Sequence, residues 1–102
     1  MDISFDPAKN ERNIETHGVS LARALEFQWE SSVSVEDTRR DYGERRFKLY
    51  GLIGSRLYVL IHTPREGRLH VISLRKANKR EERAYEREKT PGQAKEHFPR
   101  RS

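Results

Sequence analysis

Residues 69 to 80 read Leu69-His70-Val71-Ile72-Ser73-Leu74-Arg75-Lys76-Ala77-Asn78-Lys79-Arg80. Leu69, Val71, Ile72 and Leu74 are the residues of a strand buried on both faces, and the cations that follow end it abruptly. Asn78 with Glu81 three positions later has the spacing of a capping box, in which an Asn side chain and a Glu side chain each satisfy the other's backbone N–H. A helix should therefore start here and run to about Lys89. It is almost entirely charged, and only Ala84 and Tyr85 are suited to pack inward. A core strand thus delivers Arg75, Lys76, Lys79 and Arg80 as a fixed basic patch.

Upstream of this strand the pattern is that of a meander, with strands over Phe47 to Ile53, Arg56 to Thr63 and Leu69 to Lys76. Gly54-Ser55 reads as a two-residue hairpin turn and Thr63 to Arg68 as a longer one. Pairing Ile53 with Arg56 and Thr63 with Arg68 puts Tyr50, Leu52, Leu57, Val59, Ile61, Ile72 and Leu74 on one face. Phe47, Leu49, Leu60, Leu69 and Val71 fall on the other, so both faces need cover. Ser32-Val33-Ser34-Val35 alternates as a half-buried strand, and Glu36 to Arg46 as charged turn. Near the start, Ile3 to Phe5 suits a short edge strand. Asp6-Pro7 reads as N-cap and first helical residue, and Gly18 ends that helix after His17. Ser20 then caps a second short helix with a stripe of Leu21, Leu25 and Trp29 facing the core. The expected architecture is α+β: a small antiparallel β-sheet, two N-terminal helices and a C-terminal helix. One domain spans residues 1–89, and 90–102 form a flexible basic tail.

The chain has 102 residues, 36% of them charged and 33% hydrophobic, with a net charge of +5. That length suits one domain, and the apolar residues concentrate in the meander. Charge is uneven: residues 1–30 carry a net −3, 31–63 a net +2 and 64–102 a net +6. A basic half of this kind suits nucleic acid or an acidic protein partner. There is no cysteine, which excludes a disulfide framework, a thiolate zinc site and a cysteine nucleophile. Nothing resembles a leader peptide or a membrane span, so a soluble cytoplasmic protein is expected. The four histidines, His17, His62, His70 and His97, lack the close spacing of metal ligands, and no nucleotide-binding or hydrolase-elbow motif occurs. No cofactor and no metal are expected.

Metal-free cleavage of RNA needs a base for the 2′-hydroxyl, cations for the charge on the scissile phosphate and an acid for the leaving oxygen. Arg65, Arg75, Lys76 and Arg80 are the candidate cations. Glu44, His62, His70 and Tyr85 are the candidates for proton transfer, while Lys79, Arg83, Arg39 and Arg45 suit contact with the RNA backbone. Each has a plainer reading: a packed strand histidine, a helix-anchoring tyrosine, a glutamate paired with a nearby arginine. The assumed register sets Ile61 opposite His70 and Phe47 opposite His62, so both histidines and Arg65 share one end of the sheet. Arg75 and Lys76 lie at the other end, and unless the C-terminal helix folds back the cations cannot serve one site. Taken as surface charges, Arg75 and Arg80 should be removable without cost to the fold. A basic module that binds RNA or an acidic protein without cutting is the alternative.

Several ordered motifs carry a family likeness. They are Phe5-Asp6-Pro7-Ala8-Lys9-Asn10, Asn13 with His17-Gly18-Val19-Ser20, and Asp37 with Arg39 and Asp41-Tyr42-Gly43-Glu44-Arg45-Arg46-Phe47. The likeness continues through Leu60 to Arg65 and Val71-Ile72-Ser73-Leu74-Arg75-Lys76-Ala77-Asn78-Lys79-Arg80-Glu81, with Tyr85. Over about residues 3 to 87 the chain resembles the BrnT family of ribonuclease toxins from type II toxin-antitoxin modules. The resemblance implies a compact fold similar to RelE-type toxins, metal-independent RNA cleavage and growth arrest through blocked translation. It also implies a BrnA-type antitoxin as partner, promoter DNA bound only through that antitoxin, and no membrane association.

Overall fold

The computed structural model describes residues 2–89. The tail expected over 90–102, with His97, lies outside the described residues. Five strands form one sheet in the order β1-β5-β4-β3-β2: β1 is Ile3–Ser4, β2 Val33–Glu36, β3 Phe47–Ile53, β4 Arg56–Arg65 and β5 Arg68–Lys76. The helices are α1, Pro7–His17, and α2, Lys79–Lys89, with a 3-10 helix at Leu21–Glu26. The class is α+β, but the sheet is mixed rather than purely antiparallel, because β1 runs parallel to β5. Alternating residues mark a segment as a strand; they do not fix its direction.

The β3–β4 hairpin has the expected register, Ile53 opposite Arg56 and Phe47 opposite His62. The β4–β5 register differs. Arg65 pairs with Arg68, leaving Glu66 and Gly67 as a two-residue turn in which both have positive φ, 54° and 75°. That conformation matches the right-handed twist of the strands it joins. Pro64 remains within β4, where it lies past the end of β3 and has no ladder partner to disappoint on that side. Farther along, Ile61 pairs with Ser73 and His62 with Val71, so Ile72 is an extra residue in β5. This bulge returns Leu74 to the face that carries Leu60 and Val71, not to that of Tyr50.

The second N-terminal helix is also corrected. Leu21–Glu26 is 3-10, with Ser20 Oγ accepting the N–H of Ala22. Three residues per turn replace the expected 3.6, so Leu21, Ala24 and Phe27 face inward and Leu25 is 67% exposed. The Phe27 ring lies over Gly51 of β3, where a Cβ would overlap it. Leu21, Ala24, Phe27, Leu49, Leu60 and Leu74 belong to the core on this face. On the other face α2 covers Tyr50, Leu57 and Val59 with Ala84 and Tyr85, the two residues expected to pack there.

Helix α1 is held differently. Asp6 caps it and Gly18, at φ 71°, ends it, yet its one large apolar residue, Ile14, is 45% exposed. Docking comes from amides instead. Asn13 Nδ2 donates to the carbonyls of Val19 at 2.8 Å and Leu74 at 2.7 Å, and Asn13 Oδ1 accepts the N–H of Leu74 at 3.3 Å. Its side chain thereby completes the free edge of β5 beyond β1, as a neighbouring strand would. Asn10 Oδ1 accepts the N–H of Leu21 at 2.7 Å. Asn13→Ala should lower stability by about 2–4 kcal/mol, since three buried backbone groups lose their partner. A denaturant midpoint equal to that of the wild type would show that α1 is docked by something else.

Candidate functional site

The turn from β5 into α2 decides which part of the sheet stays open. Arg75 donates from both terminal nitrogens to Glu81, each at 2.9 Å. Glu81 Oε1 also accepts the N–H of Asn78, whose Oδ1 accepts the N–H of Glu81 at 2.8 Å. The capping box and a forked ion pair share one carboxylate, which folds α2 back over the Leu57 and Val59 end of the sheet. Tyr85 fixes the helix by donating from its hydroxyl to Ser31 O at 2.9 Å. The opposite half of that face, around Ile61, Ser73 and His70, has no helix over it among the described residues.

The covered end is ionic as well as apolar. Lys48 is only 4% exposed; burial, then the positive charges of Arg39 and Arg75, hold its pKa below the usual lysine value. Tyr50 is fully buried, and burial followed by the Glu81 charge pushes its pKa up to about 12. Beside them the Arg39 guanidinium grips Asp37 at 2.8 and 2.9 Å, and the Tyr42 hydroxyl donates to the same carboxylate at 3.1 Å. The Arg39 hydrogen bonds hold Asp37 well below the ordinary carboxylate range.

At the far end, Arg65 donates to both oxygens of Glu44 at 3.1 Å, and Arg46 approaches the same carboxylate at 3.7 Å while stacking on Tyr42. Ser4 Oγ and His70 Nδ1 share a hydrogen bond of 2.9 Å, so β1 orients the imidazole. Burial, then the Arg65 charge, depresses the pKa of His70, and Glu44 opposes them. By strand alternation Arg65, Thr63, His70, Ile61, Ser73 and Arg75 share a face. Arg65 and the Arg75 partner Val59 are six residues apart on β4, about 20 Å at 3.3 Å per residue.

The structure thus brings Arg65, Glu44 and His70 together and leaves Arg75 at the other end of the same face. His62 is elsewhere: adjacent in β4 to Thr63, it points to the opposite face, stacked on Phe47 at 5.6 Å and edge-on to Trp29 at 5.9 Å. Burial lowers its pKa, and its Nδ1 has no hydrogen-bond partner. The facing rule alone separates the histidines that the sequence grouped; the two-residue register difference moves His70 from Ile61 to Thr63 and leaves it on the same face. Lys76 lies opposite Tyr58, on the other face from Arg75. Lys79 and Arg83 line a shallow groove on α2 with Glu82 and Glu86, and Arg80 is exposed. Arg45 pairs with Glu36 at 3.0 Å and lies over the Phe47 ring. Sequence reasoning passed over Lys48, Asp37 and Ser4 as site residues. Lys48 had a signal, a lone cation alternating with apolar residues in β3; Ser4 had none, because its role depends on the parallel pairing of β1.

No group of three or more His, Asp or Glu side chains among the described residues is arranged to hold a metal. No helix among them is long and apolar enough to cross a membrane. A family model described as "Ribonuclease toxin, BrnT, of type II toxin-antitoxin system" matches residues 5–81, from the end of β1 through the Glu81 carboxylate that closes the β5–α2 turn. The chain belongs to the BrnT family. Membership makes it a ribonuclease toxin of a type II toxin-antitoxin system, with a cognate antitoxin as partner and RNA as target. No curated protein matches it. The BrnT match takes in both amide clamps of α1, the Asp37–Arg39–Tyr42 cluster, Arg65 and the Arg75–Glu81 pair.

Two consequences for stability follow from this geometry. Arg75 is no removable surface charge: Arg75→Ala strands a carboxylate that is 5% exposed, and should cost about 3 kcal/mol or more. Acid should act in two steps. His62 and His70 have depressed folded-state pKa values, so below about pH 6.5 the unfolded chain takes up protons that the folded one refuses, and stability falls. Burial opposes ionisation of Glu81, but Arg75 and the Asn78 N–H outweigh it and its pKa is lowered, as is that of Asp37. Their contribution is present above about pH 4.3 and is lost as pH falls further. Urea midpoints across pH should show both steps, the upper one reduced in His62→Phe and the lower one in Glu81→Gln. A single step unaffected by either substitution would contradict this assignment.

Proposed function

We propose that the protein is a metal-independent endoribonuclease of RelE type that arrests translation by cutting RNA in the cytoplasm. It is neutralised by a BrnA-type antitoxin and reaches promoter DNA only through it. The observation that carries this reading is the BrnT match over residues 5–81. The open half of the sheet face supports it by offering the three kinds of group that transesterification needs.

In this reading the chemistry belongs to the Arg65 end. His70, held by Ser4 and kept neutral near pH 7 by its depressed pKa, accepts the proton of the 2′-hydroxyl. Arg65 releases Glu44 to take the charge that builds on the phosphate oxygens. Glu44, freed of that partner, is the second proton-transfer group. Arg75 and Arg39, each partly exposed beside its carboxylate partner, support the RNA strand farther along the face, and Lys48, buried beneath them, adds only its charge. Lys76, Lys79, Arg80, Arg83 and Arg45 contribute long-range attraction, while His62 and Tyr85 hold the fold that presents the site.

Protein freed of its antitoxin and incubated with RNA in EDTA should cut it. His70→Ala and Arg65→Ala should each lower the rate by about 10²-fold or more, with melting temperatures near wild type, and His62→Phe should retain cleavage. Intact RNA with a demonstrably folded protein would remove the enzyme reading, and retardation of that RNA in a gel would favour a binding module.

A further inference from the structure

Helix α1 and the bulge of β5 enclose a groove of about 420 Å³ outside the site just described. Lys9, Arg12, Thr16 and His17 line one wall, and Ile72 and Ser73 the other. The helical positions recur at intervals of three and four, so they form one stripe, the stripe where a surface helix ordinarily carries its apolar residues. Here amide clamps from Asn10 and Asn13 dock the helix, and the stripe is left polar and cationic. Glu11 and Glu15 fall on the opposite side of α1 by the same geometry.

Two observations bear on what this groove can hold. No carboxylate lines it, whereas three other grooves contain Glu82 and Glu86, or Glu36, Asp37, Asp41 and Glu44. Among the described residues neither Lys9 nor Arg12 has an ion-pair partner, a state they share with Arg68, Lys76 and Arg80, whereas Arg39, Arg45, Arg65 and Arg75 around the sheet are all paired. The positive charge at the sheet's centre is largely neutralised internally; that of α1 is available. Ser73 stands opposite Ile61 in the sheet, so the groove adjoins the open half of the β4–β5 face.

We propose that this groove binds backbone phosphates of the RNA strand flanking the bond that is cut, with Lys9 and Arg12 as the charged contacts and Thr16 and Ser73 as hydroxyl donors. The inference rests on the ribonuclease reading above. Its chemistry fits phosphodiester better than an acidic protein segment: Ile72 is the single apolar lining residue, and a protein interface needs a buried apolar or aromatic anchor. Phosphate recognition needs only cations and hydroxyl or amide donors.

The test uses the full chain without antitoxin and a single-stranded 2′-O-methyl RNA a dozen nucleotides long, which cannot be cleaved. Lys9→Ala/Arg12→Ala should weaken binding by at least about tenfold and reduce the slope of log affinity against log salt by about 1.4, two contacts at 0.7 each. Its turnover of a dinucleotide, too short to reach the groove, should equal that of the wild type. Thr16→Glu, which adds a negative charge at an exposed position without removing a cation, should weaken the same binding. Unchanged affinity and slope in both variants, with the wild type cleaving RNA, overturn the groove alone. Loss of binding to a polyglutamate peptide with RNA binding intact overturns it in favour of an acidic protein partner. A wild type that neither binds nor cuts RNA removes this inference together with the ribonuclease reading.

Discussion

A single carboxylate, that of Glu81, fixes the relation between the sheet and its last helix. It is nearly buried and accepts from two Arg75 nitrogens and from the N–H of Asn78. A buried ion pair is no guarantee of net stability, since desolvation offsets much of the attraction; its value lies in geometry. Because Arg75 is rigid in β5 and Asn78 begins α2, their shared acceptor permits one angle between strand and helix. That angle sends Ala84 and Tyr85 onto Tyr50, Leu57 and Val59, and leaves Ile61, Ser73 and His70 of the same face half-exposed, with the 37–46 loop closing over Thr63. Where a ligand can reach the sheet is therefore decided by a turn at its edge.

Much of the fold was legible from short-range pattern. The meander, the Gly54-Ser55 turn, the Asp6 and Asn78 caps and the Gly18 stop are each encoded within a few residues, and each forms. Features set by the competition of distant parts were less legible. Leu21, Ala24, Leu25 and Trp29 fit an α-helix on paper, but the space over Gly51 takes Phe27, and that requires a tighter winding. The extra residue at Ile72 is invisible in a sequence of apolar residues, yet it turns Leu74 to the other face. The direction of β1 could not be read from two residues.

The site was legible in composition more than in arrangement. Counting cations identified a basic chain, but not that Glu44, Asp37, Glu36 and Glu81 neutralise four of its arginines. These pairs join residues 2 to 21 positions apart, and the longest, Glu44 with Arg65, closes only when the 37–46 loop folds against β4. The cluster read from Arg75 to Arg80 disperses for a simple reason: neighbouring strand residues point to opposite faces, and helical ones radiate around an axis. Grouping by face rather than by sequence distance brings Arg65, Glu44 and His70 together instead.

The manner in which α1 is attached affects how the molecule opens. A helix seated on an apolar stripe loosens by degrees, because each side chain gives up its burial separately. Two asparagine amides, bonded to backbone at Leu21, Val19 and Leu74, make a more nearly all-or-none latch. Little apolar surface is exposed when it releases, so this step should contribute little to the heat capacity of unfolding and respond weakly to temperature. Helix α1, set between β1 and the core residues Val19 and Leu21, is therefore the segment whose release costs least apolar burial, and the edge of β5 that it guards becomes free for another backbone whenever it lets go.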